Sequence, residues 1–150
     1  MQLWQQQFLF FFLIFSLAVG VYGFWQTYKH KNAYGEAFWL MPLGIYVWGD
    51  AFIFGFFWTG SAIASLILQD WILFLLIFSL FHLVRSVGET IYWFNQQFST
   101  IIRCKPEKYI SHKIFHNDSV WFAFQITQQC ITVVSIITSL YLGKMWLSQF

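Results

Sequence analysis

The chain has 150 residues, of which 59% are hydrophobic, 24% aromatic and only 9% charged. Soluble domains carry about 25% charged residues, so this composition excludes an ordinary soluble domain. The formal net charge of +2 is too small to indicate a nucleic-acid partner. The apolar residues form runs of roughly 20, the length that crosses a bilayer as a helix. We therefore predict an all-α integral membrane protein.

Four such runs predict a single domain, residues 1–150, folded as a small bundle of four transmembrane helices. The expected spans are about 8–28, 38–58, 71–94 and 120–143. Segment 59–70 is open to two interpretations, since it either extends the second helix or forms a turn at the membrane surface. Tryptophans lie near most span ends, which is typical of an interfacial aromatic belt.

The positions of lysine and arginine predict the orientation. Six of the eight such residues lie in the first and third loops, 29–37 and 99–118. A four-span chain places these two loops on one side, and the positive-inside rule makes that side cytoplasmic. We therefore expect a multi-pass protein of a plasma or inner membrane, with both termini on the non-cytoplasmic side.

The third loop is also predicted to contain a short amphipathic cytoplasmic helix from Pro106 to His116. Its basic face suits contact with anionic lipid headgroups at the inner surface. The candidate contacts are Lys105, Lys108, His112 and Lys113. The i, i+4 spacing of His112 and His116 also occurs in metal sites, but without a third ligand it favours a plain basic face.

The third span carries ionisable residues in apolar surroundings. His82, Arg85 and Glu89 are spaced by 3 and 4 residues, so a helix places them on one face. Charged groups at membrane depth are costly and commonly mark a functional site. Ser79 and Ser86 lie beside this stripe. We treat the three residues as the centre of a candidate intramembrane polar site.

The fourth span has a matching polar stripe, which includes Gln125 and Gln128 and continues through Thr132, Ser135 and Ser139. If the second span begins at Phe38, Asp50 lies at a depth comparable with that of His82. The predicted polar site therefore comprises Asp50, His82, Arg85, Glu89, Gln125 and Gln128. Near-neutrality of this set is expected for charges that are buried together.

Three function classes are compatible with this pattern. The first is a structural or accessory membrane subunit, present as a homo-oligomer or in a larger complex, whose polar seam fixes helix packing. The second is a small proton- or ion-coupled carrier or channel that uses the cluster Asp50, His82, Arg85 and Glu89. The third is a membrane-embedded enzyme acting on lipid. Nucleotide-binding, hydrolase and zinc-protease motifs are absent, and we predict no catalytic residue, cofactor or metal.

Overall fold

The computed structural model of the protein describes residues 1–99 and 119–149. About 85% of these described residues are helical, and they include no strand. The four long helices are α1 (Leu3–His30), α2 (Trp48–Ile67), α3 (Trp71–Phe98) and α4 (Ser119–Leu147). Each is long and apolar enough to cross a membrane. The all-helical prediction with four span-length helices is thus confirmed.

The second helix differs from the predicted span 38–58. Residues Phe38–Leu43 form a 3₁₀ helix that ends at Gly44, whose φ of 71° is left-handed. A side chain is unfavourable in that region, so glycine permits the chain to reverse there. The α-helix begins only at Trp48, and segment 59–67 continues it. The sequence did not predict the break between the 3₁₀ helix and α2, because residues 38–45 are apolar and an apolar run alone does not define where a helix begins.

A tight turn of three residues, 68–70, joins α2 to α3. Gln69 adopts a positive φ of 52°, which reverses the chain direction. Asp70 then caps α3, because its Oδ1 accepts a hydrogen bond from the Leu73 amide at 3.0 Å. A side-chain acceptor at this position satisfies one of the amide groups that a helix start leaves unpaired.

The contacts divide the molecule into two compact units, and the boundary lies between Ile77 and Phe78, inside α3. The expectation of a single domain therefore stays a prediction. In the first unit, α1 and α2 run antiparallel, as the side-chain hydrogen bonds Gln6–Gln69 (2.8 Å) and Ser16–Thr59 (3.1 Å) show. In the second unit, α3 and α4 also form an antiparallel pair.

Small residues allow the α1 and α2 backbones to approach closely. A Cβ added at Gly55 would collide with the backbone of Gly20 and lie 2.9 Å from the Ser16 carbonyl oxygen. A Cβ at Gly23 would lie 2.6 Å from the Phe52 amide nitrogen. Contacts between small residues let two helix backbones gain van der Waals attraction at short distance.

We predict that Gly55→Ala destabilises the α1–α2 pair by about 1–3 kcal/mol, the usual cost of overpacking. Gly60→Ala is the matched control, because nothing lies within 4 Å of a Cβ at Gly60. The free energy of unfolding would be measured by denaturant titration in detergent micelles. Equal stability of the two variants would contradict the close approach.

Candidate functional site: a polar seam between α3 and α4

The second unit contains a line of polar contacts between α3 and α4, which we call the polar seam. Its first layer joins Ser79 to α4. The Ser79 hydroxyl lies 2.9 Å from the Ser139 hydroxyl and donates to the Ser135 carbonyl at 3.1 Å. All three residues are buried. The seam comprises Ser79, Ser86 and Gln97 of α3 with Gln125, Thr132, Ser135 and Ser139 of α4.

The second layer lies two helical turns further along α3. The Thr132 hydroxyl donates to Ser86 Oγ at 2.8 Å, and Ser86 Oγ donates to the Leu83 carbonyl at 3.2 Å. Thr132 Oγ1 also lies 2.9 Å from the Gln128 carbonyl oxygen. The seven-residue spacing of Ser79 and Ser86 keeps both on the side of α3 that faces α4.

Two aromatic rings and two amides complete the interface. Trp93 and Trp121 are buried and stack with their ring centroids 5.3 Å apart and an interplanar angle of 15°. At the same level, Gln97 Nε2 donates to Gln125 Oε1 at 2.5 Å. These two tryptophans pack against each other inside the unit, and their position relative to a membrane surface stays a prediction.

The charged pair predicted on α3 forms within that helix. Arg85 Nη2 lies 2.9 Å from Glu89 Oε1, and their side chains are 22% and 12% exposed. The i, i+4 spacing brings the two groups together without help from another helix. The pair is formally neutral, which lowers the cost of placing either charge in apolar surroundings.

His82 lies one turn before Arg85 and packs among aromatic rings. Its imidazole centroid is 4.5 Å from that of Phe78 and 5.6 Å from that of Phe81. The side chain is half-buried. His82, Arg85 and Glu89 thus occupy one stretch of α3, as their spacing predicts, and Arg85 and Glu89 form an ion pair.

The two glutamines of the predicted site lie at different levels of the seam. Gln125 pairs with Gln97, whereas Gln128 is buried one turn from Thr132. The register set by Ser86 and Thr132 places Gln128 at the height of Glu89, which is also buried. Of the predicted α4 stripe, Gln125, Thr132, Ser135 and Ser139 contact α3. The sequence pattern did not identify Gln97 on α3. The spacing of His82, Arg85 and Glu89 continues to position 96, and Gln97 lies one residue later.

Asp50 belongs to the first unit, whereas His82, Arg85 and Glu89 belong to the second. Its proximity to them therefore stays a prediction. Because α2 begins at Trp48, Asp50 lies in the first turn of that helix and not twelve residues inside a span. Its Oδ2 accepts a hydrogen bond from the Tyr46 amide at 3.1 Å, so one observed role is to hold the chain that precedes α2.

The predicted lipid contacts Lys105, Lys108, His112 and Lys113 lie outside the described residues, as does the amphipathic helix from Pro106 to His116. Within the part of the chain that is described, no group of three or more histidine, cysteine, aspartate or glutamate side chains is arranged to hold a metal. Cys130 is a free, exposed thiol.

Comparison with known proteins finds no match to a family model, a curated protein or a solved structure.

We predict that Thr132→Val, which removes the hydroxyl and keeps the shape of the side chain, lowers the free energy of unfolding by about 1 kcal/mol, a typical value for an interhelical hydrogen bond between apolar helices. Thr138→Val is the control, because that exposed hydroxyl bonds only to the Val134 carbonyl of its own helix. Denaturant titration in micelles would compare them, and an equal loss in both would contradict a stabilising seam.

Proposed function

We propose that this chain is a four-span integral membrane protein that acts as a structural or accessory subunit, with the polar seam holding α3 and α4 in one packing arrangement. The observation that carries the proposal is the mutual satisfaction of the seam's polar groups. Hydroxyls and amides of α3 pair with those of α4, and Arg85 pairs with Glu89 on its own helix.

The helix dimensions support membrane insertion. The 20 residues of α2 extend about 30 Å, close to the thickness of a bilayer's hydrocarbon core. Large apolar side chains are exposed along all four helices, among them Phe11, Ile53, Val84 and Leu140. Exposed apolar surface of this extent is unfavourable in water and is expected against acyl chains.

The arrangement of polar groups favours packing over transport. Interhelical hydrogen bonds between apolar helices specify one register, because any slip leaves polar groups unsatisfied in a medium that offers no water. The neutral pair of Arg85 and Glu89 lies within one helix, so it balances charge without setting the register between α3 and α4. We therefore assign the seam a role in fixing the shape of the α3–α4 hairpin, so that its outer faces are presented to lipid and to partner subunits or further copies of the chain.

A second candidate, a small proton- or ion-coupled carrier, is favoured by one observation. His82, Arg85 and Glu89 follow one another along one stretch of α3, and Arg85 retains partial exposure. Histidine titrates near neutral pH and is a common proton carrier. A carrier would use these residues to load and release its ion, whereas a packing element needs only their hydrogen bonds and charge balance.

The orientation that we propose places the Lys29–Lys31 region and the basic loop 99–118 in the cytoplasm. The acidic turn at Asp70 and both termini would then lie on the other side. Anionic headgroups of the cytoplasmic leaflet are the proposed contacts of Lys105, Lys108, His112 and Lys113.

We predict that Glu89→Gln lowers the free energy of unfolding by about 1–3 kcal/mol, because it leaves the Arg85 charge without its counter-ion. Adding Arg85→Met to that variant should recover part of the loss, since no unpaired charge then remains. The free energy of unfolding in micelles would be measured for Glu89→Gln, for Arg85→Met, for the double variant and for the parent.

Proton and ion flux into liposomes, measured on the parent, Glu89→Gln and His82→Ala proteins, separates the two functions. The subunit proposal expects no coupled flux in any of them. Flux in the parent that disappears in a correctly folded variant would establish the carrier instead.

The orientation is tested with single cysteines in a protein carrying Cys104→Ser and Cys130→Ser. In intact cells, an impermeant maleimide should label Gln2→Cys and Ser148→Cys, because both termini are outside, and should spare Asn32→Cys until the membrane is permeabilised. Labelling of Asn32→Cys alone would reverse the orientation. Labelling of only one terminus would contradict an even number of spans.

A further inference from the structure

The chain between α1 and α2 does not simply pass over the ends of the two helices. Residues 33–37 first run antiparallel to residues 46–49, as shown by backbone hydrogen bonds from Gly49 to Ala33 (2.9 Å), Trp48 to Gly35 (2.9 Å) and Ala37 to Tyr46 (2.8 Å). Ala37 and Tyr46 thus stand side by side at the start of α2. The two ends of segment 38–45 therefore lie close together, so the segment must run away from Ala37 and Tyr46 and come back to them.

The indole of Trp58 shows in which direction the segment goes. Trp58 Nε1 donates to the Leu43 carbonyl at 3.0 Å, and Trp58 lies ten residues after the first residue of α2, which is about 15 Å along the axis. Allowing for the lean of side chains toward a helix N-terminus, the Leu43 carbonyl lies on the order of 10 Å beyond the start of α2.

The geometry of the segment agrees with this depth. The 3₁₀ helix Phe38–Leu43 advances about 12 Å at its usual rise of 2.0 Å per residue. The three residues from Gly44 to Tyr46 can cover about 10 Å when extended, enough to return to the level of Ala37. The left-handed Gly44 provides the reversal at the tip. The segment therefore forms a hairpin that folds back along α2.

Aromatic and cationic residues mark where the membrane surface would lie. Trp48, the first residue of α2, packs against Tyr22 of α1 with ring centroids 5.3 Å apart. Trp25 lies about one turn beyond Tyr22, and Lys29 Nζ lies 4.8 Å from the Trp25 ring centroid. Tyrosine, tryptophan and lysine in this arrangement are typical of the headgroup level. The tip of the hairpin lies deeper than this level, beside the apolar body of α2.

The composition and hydrogen bonding of the segment suit that depth. Residues 38–45, FWLMPLGI, include no charged, hydroxyl or amide side chain. The Leu40 amide bonds to the Ala37 carbonyl, the Gly44 amide to Met41 and the Ile45 amide to Leu40, at 2.9, 2.9 and 3.4 Å. Irregular backbone is tolerated at membrane depth only when its polar groups are satisfied in this way or buried by protein.

The segment has one face toward the protein and one face away from it. Leu40, Leu43 and Ile45 are buried, whereas Trp39 is 63% exposed and Met41 50% exposed. We propose that residues 38–45 are a re-entrant segment that enters the hydrocarbon of one leaflet and returns to the same side, with Trp39 and Met41 in contact with acyl chains. This surface is thus a lipid contact built from the connection itself, and it requires the membrane insertion proposed above.

Cysteine accessibility tests the re-entrant segment. In the protein carrying Cys104→Ser and Cys130→Ser, the test variant is Met41→Cys and the control is Asn32→Cys, an exposed residue above the aromatic level. A second control, Phe11→Cys, lies on the exposed face of α1. All three side chains are exposed, so their replacement should leave the packing intact. An impermeant maleimide is supplied on both sides of reconstituted vesicles.

The expected result is rapid labelling of Asn32→Cys, at least tenfold slower labelling of Met41→Cys and Phe11→Cys, and equal labelling of all three in denaturing detergent. Labelling of Met41→Cys as fast as Asn32→Cys, with Phe11→Cys still protected, would overturn the re-entrant segment alone. Rapid labelling of all three in vesicles would overturn membrane insertion as well. A nitroxide attached to Met41→Cys gives a second measurement. Oxygen is expected to enhance its spin relaxation more than a water-soluble nickel complex does.

Discussion

Hydrogen bonds made within the chain hold the described structure at its helix ends, its connections and its buried polar side chains. Helices satisfy their own backbone, so the constraint that buried polar groups find partners falls on these places. Asp70 caps α3, Asp50 holds the Tyr46 amide, and Trp58 donates to the Leu43 carbonyl. Each of these bonds fixes a point at which the chain changes direction.

The two helix pairs meet this constraint in different ways. The α1–α2 pair relies on the absence of side chains, since Gly20, Gly23 and Gly55 bring the backbones into contact. Its one interhelical hydroxyl pair, Ser16 with Thr59, lies in the same line of small residues. The α3–α4 pair instead joins polar side chains at three levels and stacks Trp93 on Trp121. The first pair is thus held by close backbone packing and the second by interhelical hydrogen bonds and ring stacking.

The connection before α2 illustrates why an apolar run can be misread. Residues 38–45 are as hydrophobic as the helix that follows, so hydropathy joins them to it. The features that separate them are local: Pro42 lacks an amide hydrogen, and Gly44 accepts a left-handed conformation. Such local features end a helix where the reversed chain has a surface to pack against. In this protein it packs along α2, where Trp58 supplies the donor for Leu43.

The sequence by itself determined the class of fold, the positions of α1, α3 and α4 to within a few residues, and the facing stripe on α4. Those features follow from hydrophobic run length and from helical periodicity, which are properties of a single segment. The pairing of Arg85 with Glu89 is equally local, because four residues separate them. Only the tertiary structure decided that Ser79 and Ser86 face α4, that Gln125 pairs with Gln97, and that Gly55, unlike Gly60, lies at a helix contact. These outcomes depend on the register between two helices. Small differences in side-chain size and hydrogen-bond reach select that register, and the periodicity of a single helix contains no information about it.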